Sequence, residues 1–232
     1  MLQWRSETMA AKVIPFKQLA SSLESRSVHD VLDRMGACMS FDHNAEVFGE
    51  EEPAKYLYKV VSGAVRNCKL MSDGRRQISA FYLPGDMFGM EADDTHRFSA
   101  EAIGGCNILV VNQSAFIARA SRETDMVAQL WTQALSHLQR AQDHMLLLGR
   151  KNAQERVAAF LLDMAERLSK NGAVELPMSR QDIADYLGLT IETVSRTLTQ
   201  LEREGVISIP VSRRIVLRNR AALREMNDCM AA

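Results

Sequence analysis

Four polar side chains near the carboxyl end of the chain share one face of a predicted helix. Glu192, Ser195, Arg196 and Thr199 stand at positions i, i+3, i+4 and i+7, so in a helix they project together. An arginine can bond both acceptors of guanine, a glutamate can accept from cytosine N4, and a serine can donate or accept. The set therefore suits base edges in a DNA major groove. The plainer alternative is an exposed Glu192–Arg196 pair worth about 0.3–0.5 kcal/mol.

The residues before and within this helix predict a helix-turn-helix, which favours DNA binding over the plainer alternative. Ser179 and Asp182 have the spacing of a capping box, Gly188 permits a tight turn, and Thr190 can cap the second helix. The second helix also carries an apolar stripe that must be buried. The stripe consists of Val194, Leu198 and Leu201.

Two short β-type runs follow the second helix, which ends at Gly205. They cover 206–209 and 215–217 and flank a Pro-Val-Ser-Arg turn, as expected for the wing of a winged helix-turn-helix. Asn219 can cap a last helix. Arginines are frequent here, in agreement with phosphate binding. They are Arg213, Arg214, Arg218 and Arg220.

A long predicted helix, residues 117–148, precedes this region and carries a heptad repeat. The repeat has the spacing of a two-stranded coiled coil, although the helix could instead pack on its own N-terminal domain. Both are possible on different faces, because Met126, Leu130, Leu135 and Leu146 lie beside the repeat. We call the repeat the heptad stripe; it comprises Val127, Trp131, Ala134, Leu138, Ala141, Met145 and Leu148.

Two histidines stand one residue before members of the heptad stripe. We expect His137 and His144 to be solvated beside it. The alternatives are that they face a second chain and make its association pH-sensitive, or that they bind haem.

The N-terminal half changes from helical to strand periodicity after a short helix that starts at Val28 and ends at Gly36. Short β-type runs cover 47–48, 57–61, 64–70, 78–83 and 108–111, with glycine-containing turns between them. Regularly spaced short strands of this kind predict an all-β roll or barrel.

The composition limits the class of protein. The chain has 232 residues, 47% hydrophobic and 25% charged, with a formal net charge of −1, which fits two globular domains with locally concentrated charge. We find no signal peptide and no apolar run of roughly 20 residues, so we expect a cytoplasmic protein without membrane contact. No catalytic motif appears, and we expect no enzyme. Four scattered cysteines make a metal site or disulfide framework improbable; they are Cys38, Cys68, Cys106 and Cys229.

The segment from Ser179 to Arg196 resembles the DNA-binding segment of the CRP/FNR superfamily of transcription regulators. Its Glu-x-x-Ser-Arg pattern matches the FNR branch, which includes FixK-type regulators, whereas CRP-like members carry an arginine at the place of Ile191. Turns at 57–63 and 84–89 resemble those of the family's β-roll. The resemblance implies an α+β fold: an arm (1–22), a cyclic-nucleotide-binding-like β-roll (23–116), a dimerisation helix (117–149) and a winged helix-turn-helix domain (150–232).

The same resemblance implies how the protein meets DNA. A homodimer, paired along the heptad stripe, would read an inverted repeat of the TTGA type. Arg196 would contact the guanine and Glu192 its paired cytosine, with Ile191 and Ser195 near the thymines. Phosphate contacts are implied for Ser179, Arg180, Gln181, Thr190 and Thr193.

The family's usual cofactors do not suit these residues. In cyclic-AMP-binding relatives a glutamate binds the ribose and an arginine the phosphate, but Met90 and Phe98 stand there, and Arg97 is one position early. The clustered N-terminal cysteines that hold the iron–sulfur cluster of FNR are missing before Cys38. We therefore expect no cofactor. The alternative is a sensor whose β-roll binds an effector or haem before DNA is bound.

Partners other than DNA are also implied by resemblance. Activation would require surface contacts with RNA polymerase, for which the turn from Ser72 to Arg76 is one candidate. Low-oxygen respiration and nitrogen fixation are the processes controlled by this class. The terminal Ala231 and Ala232 resemble endings recognised by ATP-dependent proteases, although a frayed end is the simpler interpretation.

Overall fold

The computed structural model describes residues 27–122, 124–168 and 172–228. The predicted N-terminal arm therefore lies outside the described residues, as do Cys229, Ala231 and Ala232. The first element is α1 (Val28–Met35), which begins at a capping box formed by Ser27 and Asp30. It ends before Gly36, as the sequence predicted.

Six antiparallel strands form the N-terminal β-domain. Neighbouring strands run in the order β1-β6-β3-β4, with β2 paired to β6 and β5 paired to β3. The strands are β1 (Ala37–Phe41), β2 (Glu46–Phe48), β3 (Tyr56–Leu70), β4 (Arg76–Tyr82), β5 (Met87–Phe88) and β6 (Ser99–Asn112).

Strand β3 is continuous where the sequence suggested two strands. Ser62 and Gly63 form an irregularity in its pairing with β6 instead of a turn. Gly63 has φ +83°, and a Cβ there would lie 2.6 Å from the carbonyl oxygen of Gly105. A glycine is required because the two backbones approach closely at a positive φ.

The predicted single helix from Ile117 to Leu148 is wrong at its beginning. The structure has two helices there, α2 (Gln113–Ala120) and α3 (Thr124–Arg150). The side chain of Asn112 accepts a hydrogen bond from the Ala115 N–H and so starts α2 directly after β6. A cap and a short apolar face are enough to stabilise α2, so α2 can end before α3 begins.

The C-terminal domain begins with α4 (Ala153–Leu168). It continues with β7 (Ala173–Glu175), α5 (Arg180–Leu187), α6 (Ile191–Arg203), β8 (Ile207–Val211), β9 (Arg214–Leu217) and α7 (Arg220–Asp228). The short strands form a sheet in the order β7-β9-β8. Asn219 accepts from the Ala222 N–H and caps α7. The α+β fold with β-domain, long helix and winged helix-turn-helix is thus confirmed.

Apolar packing joins the two domains. One cluster of buried residues contains Ile78 and Phe81 of β4 together with Phe160 and Leu161 of α4. The Phe81 ring lies 5.1 Å from the Tyr186 ring of α5, centroid to centroid. The C-terminal domain is therefore held against the edge strand of the β-domain by a shared core. No helix in the described ranges is long and apolar enough to cross a membrane.

Candidate DNA-binding site

The amino-terminal end of α5 is fixed by a capping box. The Asp182 N–H donates to Ser179 Oγ at 3.1 Å, and the Ser179 N–H donates in return to Asp182 Oδ2 at 3.0 Å. The helix ends at Gly188, whose φ of +61° suits a glycine. The local signals in the sequence therefore position α5 as predicted.

Helix α6 has one buried face and one exposed face. Val194, Leu198 and Leu201 are at most 4% exposed, and Thr190 caps the helix by accepting from the Thr193 N–H at 3.2 Å. The opposite face is open to solvent. Ile191, Glu192, Arg196 and Thr199 are exposed on it, and Ser195 is half-buried.

The plainer alternative of a Glu192–Arg196 ion pair is not supported: no salt bridge joins these two described residues. The pKa of Glu192 is lowered mainly by its own backbone N–H and next by the Thr190 side chain, with a smaller contribution from Arg196. The carboxylate therefore remains an acceptor, the state required to accept a hydrogen bond from cytosine N4.

Arg180 connects the two helices. Its Nη1 donates to Ser195 Oγ at 3.2 Å. Because the hydroxyl oxygen accepts this bond, the Ser195 O–H is available as a donor. A donor at this place matches acceptors such as thymine O4. The structure thus brings one predicted phosphate contact next to one predicted base contact.

The predicted phosphate contacts gather at two helix amino termini. Ser179, Arg180 and Gln181 begin α5, while Thr190 and Thr193 begin α6. The positive end of the helix dipole favours phosphate at such termini. The Gln181 amide donates to Asp185 Oδ1 at 2.7 Å, a contact that sequence reasoning did not anticipate.

A cavity of about 200 Å³ lies between α5 and the wing. Its lining includes Ser179 and Arg180 from α5 and Ser212 and Arg213 from the β8–β9 turn. The sequence drew attention to the arginines around the wing but did not place Ser212 and Arg213 next to Arg180. Two guanidinium groups beside one depression increase the positive potential at this edge of the site.

The interior of the β-domain does not fit a cyclic nucleotide. The His96 ring is 2% exposed and stacks on Phe48 with centroids 3.6 Å apart. Met90, at the place of the ribose-binding glutamate, packs against the apolar cluster around Leu32 and Met87. Arg97 is exposed. Aromatic and thioether groups cannot replace the anion and cation that such a ligand requires.

The two buried cysteines lack the features of a reactive site. Cys68 and Cys106 are buried, and burial raises the pKa of each thiol to about 11. Such thiols stay protonated at neutral pH and are poor nucleophiles. Cys38 is exposed. Within the described ranges, no group of three or more histidine, cysteine and acidic side chains could hold a metal ion.

The heptad stripe is exposed in a single chain. Trp131 is 60% and Met145 64% exposed, whereas Met126, beside the stripe, is fully buried against the β-domain. Helix α3 therefore uses one face for its own domain and leaves the other uncovered. Leu135 and Leu146, also beside the stripe, remain exposed, and Leu148 packs on the C-terminal domain.

The two histidines of α3 face inward, so the expected solvated positions were wrong. The His144 ring stacks on Tyr186 with centroids 4.1 Å apart, and its Nε2 lies 2.8 Å from the Tyr186 carbonyl oxygen. Because a carbonyl only accepts, Nε2 carries the proton. His137 lies near Tyr82, with ring centroids 6.3 Å apart. Burial lowers the pKa of both rings.

Two family models match the chain. Residues 38–123 match the cyclic nucleotide-binding domain and residues 155–226 match the Crp-like helix-turn-helix domain. The nitrogen fixation regulation protein FixK of Azorhizobium caulinodans is 54% identical over 210 residues, which cover 88% of this chain and 85% of the relative. The transcriptional activatory protein AadR of Rhodopseudomonas palustris is 43% identical over 185 residues, covering 78% and 77%.

A solved structure agrees with this match to the family. The structure of FixK2 from Bradyrhizobium japonicum superimposes with a TM-score of 0.81 at 50% identity, covering 84% of this chain and 99% of that one. The fold, the helix-turn-helix and the relatives together define this chain as a DNA-binding transcription regulator. The relatives are regulators and not enzymes. The chain belongs to the CRP/FNR family and is of the FixK type.

Proposed function

We propose that the chain is a homodimeric regulator that reads an inverted TTGA-type repeat directly through α6. The observation that carries this proposal is the division of α6 into a buried apolar stripe and an exposed face bearing Ile191, Glu192, Ser195 and Arg196. In this assignment Arg196 bonds guanine O6 and N7, Glu192 accepts from the paired cytosine, and Ile191 and Ser195 meet the thymines.

Phosphate contacts set the register of the protein on DNA without reading sequence. These phosphate contacts come from residues at the two helix amino termini: Ser179, Arg180, Gln181, Thr190 and Thr193. Their location at the amino termini of α5 and α6 supports this assignment, because helix amino termini favour phosphate.

The second chain is another copy of this protein, paired through the heptad stripe. A helix with an exposed apolar heptad pattern is stabilised when a second such helix covers it. Ala134 and Ala141 alternate with the bulky Trp131 and Leu138 along the exposed face, which permits close approach. Two copies would place their α6 helices roughly 34 Å apart, one turn of DNA, and so match an inverted repeat.

DNA binding by this chain needs neither cyclic AMP nor an iron–sulfur cluster. The support for the first part is the combination of Met90, Phe98 and the stacked Phe48–His96 pair in the β-domain. The second part rests on the sequence, which has no cysteine before Cys38. The regulator acts in the cytoplasm, where bacterial promoter DNA is located.

The regulated genes follow from the relatives. FixK is named a nitrogen fixation regulation protein and AadR an activatory protein, so we propose an activator of nitrogen-fixation and low-oxygen genes that contacts RNA polymerase. In the β3–β4 turn, Arg75 projects into solvent whereas Arg76 is bound to Asp182 and Asp185. Within the Ser72 to Arg76 turn, Arg75 is therefore the arginine available to polymerase, and Arg76 is not.

An equilibrium binding titration tests the proposal. Effector-free protein at fixed salt is titrated with three labelled duplexes: a TTGA inverted repeat, a TGTGA inverted repeat and a scrambled sequence. We expect tight binding to the first alone. Equal weak binding to all three would contradict effector-independent reading of the TTGA site.

A further inference from the structure

A compact cluster of charges joins the β-domain to the amino-terminal helix of the helix-turn-helix. Two arginines come from the strands β3 and β4, one carboxylate comes from β6, and two carboxylates come from α5. We call it the interdomain ion cluster; it comprises Arg66, Arg76, Glu101, Asp182 and Asp185.

Arg66 is bound on three sides. Its Nε donates to Glu101 Oε2 at 2.8 Å, its Nη1 to Asp182 Oδ1 at 3.0 Å, and its Nη2 to Asn44 Oδ1 at 3.0 Å. The Arg66 and Asp182 side chains are only 7% and 4% exposed. Charges buried to this extent persist only when each has its partner, so the contact fixes the geometry of both.

Arg76 makes the corresponding contact one turn further along α5. Its Nη2 lies 2.8 Å from Asp182 Oδ1, and its Nε donates to Asp185 Oδ2 at 2.8 Å. Asp182 and Asp185 lie three positions apart on one face of the helix. The β-domain therefore binds α5 at two points, which determine its rotation as well as its position.

Each carboxylate also binds a predicted phosphate contact. Asp182 accepts from the Ser179 hydroxyl at 2.7 Å, and Asp185 accepts from the Gln181 amide at 2.7 Å. Two short chains of polar contacts thus run from the β-domain to the DNA-facing end of α5: one from Arg66 and Arg76 through Asp182 to Ser179, and one from Arg76 through Asp185 to Gln181.

The exposed face of α6 is not covered by this arrangement. Ile191, Glu192 and Arg196 remain exposed while the β-domain holds α5. The docked arrangement is therefore compatible with α6 in a major groove, and the cluster does not block the site.

We propose that Arg66 and Arg76 are positioning residues for DNA binding. Through Asp185, Arg76 holds Gln181, whose second amide hydrogen can be donated to a DNA phosphate. Through Asp182, both arginines hold the capping box that orients the amino terminus of α5. The β-domain thereby sets the geometry of the phosphate contacts. This inference rests on the proposed DNA-binding function. It makes the β-domain part of the DNA-binding machinery even in the absence of a ligand.

Other contacts keep the domains docked when one arginine is replaced. Arg167 Nη2 donates to Asp86 Oδ2 at 2.6 Å and to the Phe81 carbonyl oxygen at 2.8 Å. Phe81 also packs against Tyr186. A variant of Arg76 should therefore fold and dimerise. Only the contacts that hold α5 against the β-domain should be weakened.

The test uses the full-length dimer with Arg76→Gln, Arg76→Lys and Asp185→Asn. Arg75→Gln is the matched control, because its side chain is 81% exposed and its salt bridge is to Asp73 in the same turn. For each protein, the dissociation constant for the TTGA duplex is measured from low to moderate salt. Thermal unfolding and sedimentation are recorded in parallel.

We expect Arg76→Gln to weaken DNA binding by about fivefold or more, the lower end of coupling between distant sites. The slope of log K against log salt should change by less than about one unit, because the Gln181 amide is neutral and only lysine and arginine contacts to phosphate release counterions. Arg76→Lys should restore part of the affinity, whereas Arg75→Gln should keep the wild-type DNA affinity, because Arg75 is proposed to contact polymerase and not DNA. Adding Asp185→Asn to Arg76→Gln should cost less than the sum of the two single changes.

Two results would overturn the inference: wild-type affinity for Arg76→Gln, or weaker binding that is fully explained by a smaller folded or dimeric fraction in the parallel unfolding and sedimentation measurements. Tighter binding by Arg76→Gln would also contradict it. If Arg76→Gln fails to fold, Asp185→Asn, which keeps the side-chain shape, gives the same measurement. Failure of the wild-type protein to prefer the TTGA duplex would instead reject the proposed function.

Discussion

Arg66 Nη1 lies 3.0 Å from Asp182 Oδ1, although 116 positions separate the two residues in the chain. Asp182 also completes the capping box that begins α5. The Asp182 carboxylate therefore caps its own helix, a local contact that the sequence predicts. It also binds Arg66 of the β-domain, a long-range contact that the sequence does not predict. Burial alone would raise the pKa of Asp182, but hydrogen bonds from Ser179 and the charges of Arg66 and Arg76 lower it overall.

The first prediction concerns Arg180. Arg180→Ala should weaken binding to all duplexes and make the salt slope shallower by about one unit, as expected when one phosphate-binding cation is removed. Because Arg180 also bonds Ser195, part of the discrimination at the base pair read by Ser195 should disappear. Binding isotherms on the TTGA duplex and on one altered at that pair measure both effects. Arg224→Ala removes the same charge from exposed α7 and should have neither effect.

The second prediction concerns the core beneath the exposed face of α6. Leu201 is fully buried, so Leu201→Ala should lower the free energy of unfolding by about 2–5 kcal/mol through reduced burial and an unfilled cavity. Chemical denaturation followed by circular dichroism measures this. Arg203→Ala, exposed on the same helix, should change it by less than about 0.5 kcal/mol. A small decrease for Leu201→Ala would show that this stripe does not anchor α6.

The third prediction concerns association. Trp131→Glu places a charge in the exposed heptad stripe and should convert the dimer to monomer and abolish tight binding to the inverted repeat. Sedimentation equilibrium measures the first effect and DNA titration the second. Thr132→Glu adds the same charge one position away, outside the stripe, and should remain dimeric. A dimeric Trp131→Glu variant would place the interface elsewhere.

The fourth prediction concerns pH. Burial lowers the pKa of His144, with hydrogen bonds to the Tyr186 and Ser79 backbones opposing it, so the folded state favours the neutral ring. The resulting contribution to stability is fully present well above about pH 6.5, the ordinary value for histidine, and decreases as the pH falls below it.

Denaturation midpoints at several pH values between about 5 and 7.5, a range around the ordinary histidine value, test this. The wild-type protein should lose stability on acidification, and His144→Gln should lose less. His43→Gln, which changes an exposed histidine, is the control and should keep the wild-type dependence. An identical pH dependence for His144→Gln would contradict the inward-facing neutral ring.

Local signals explain why much of the DNA-binding site was predictable. A capping box, a glycine with positive φ and a stripe at helical spacing each depend on residues within a few positions of one another. Asp182, Gly188 and Leu198 therefore occupy the places that the sequence predicted.

The interdomain features could not be predicted in this way. Arg66, Arg76 and Asp185 are ordinary charged residues in the sequence, and only the packing of β4 against α5 brings them together. His144 was expected beside a solvated stripe, because periodicity does not indicate which domain covers the flank of a helix. Ser62 and Gly63 suggested a turn, but neighbouring strands on both sides keep β3 continuous through an irregularity.

The most direct measurement of sequence reading by α6 is a protein–DNA double-mutant cycle. Wild-type protein and Arg196→Ala are each titrated with the TTGA duplex and with a duplex carrying A·T in place of the G·C pair, with Arg224→Ala as the control for the removed charge. We predict that wild-type protein discriminates between the duplexes by about 1–3 kcal/mol and that Arg196→Ala relaxes this discrimination, keeping only the part that Glu192 supplies at the paired cytosine. Full discrimination by Arg196→Ala would contradict reading of the guanine by Arg196.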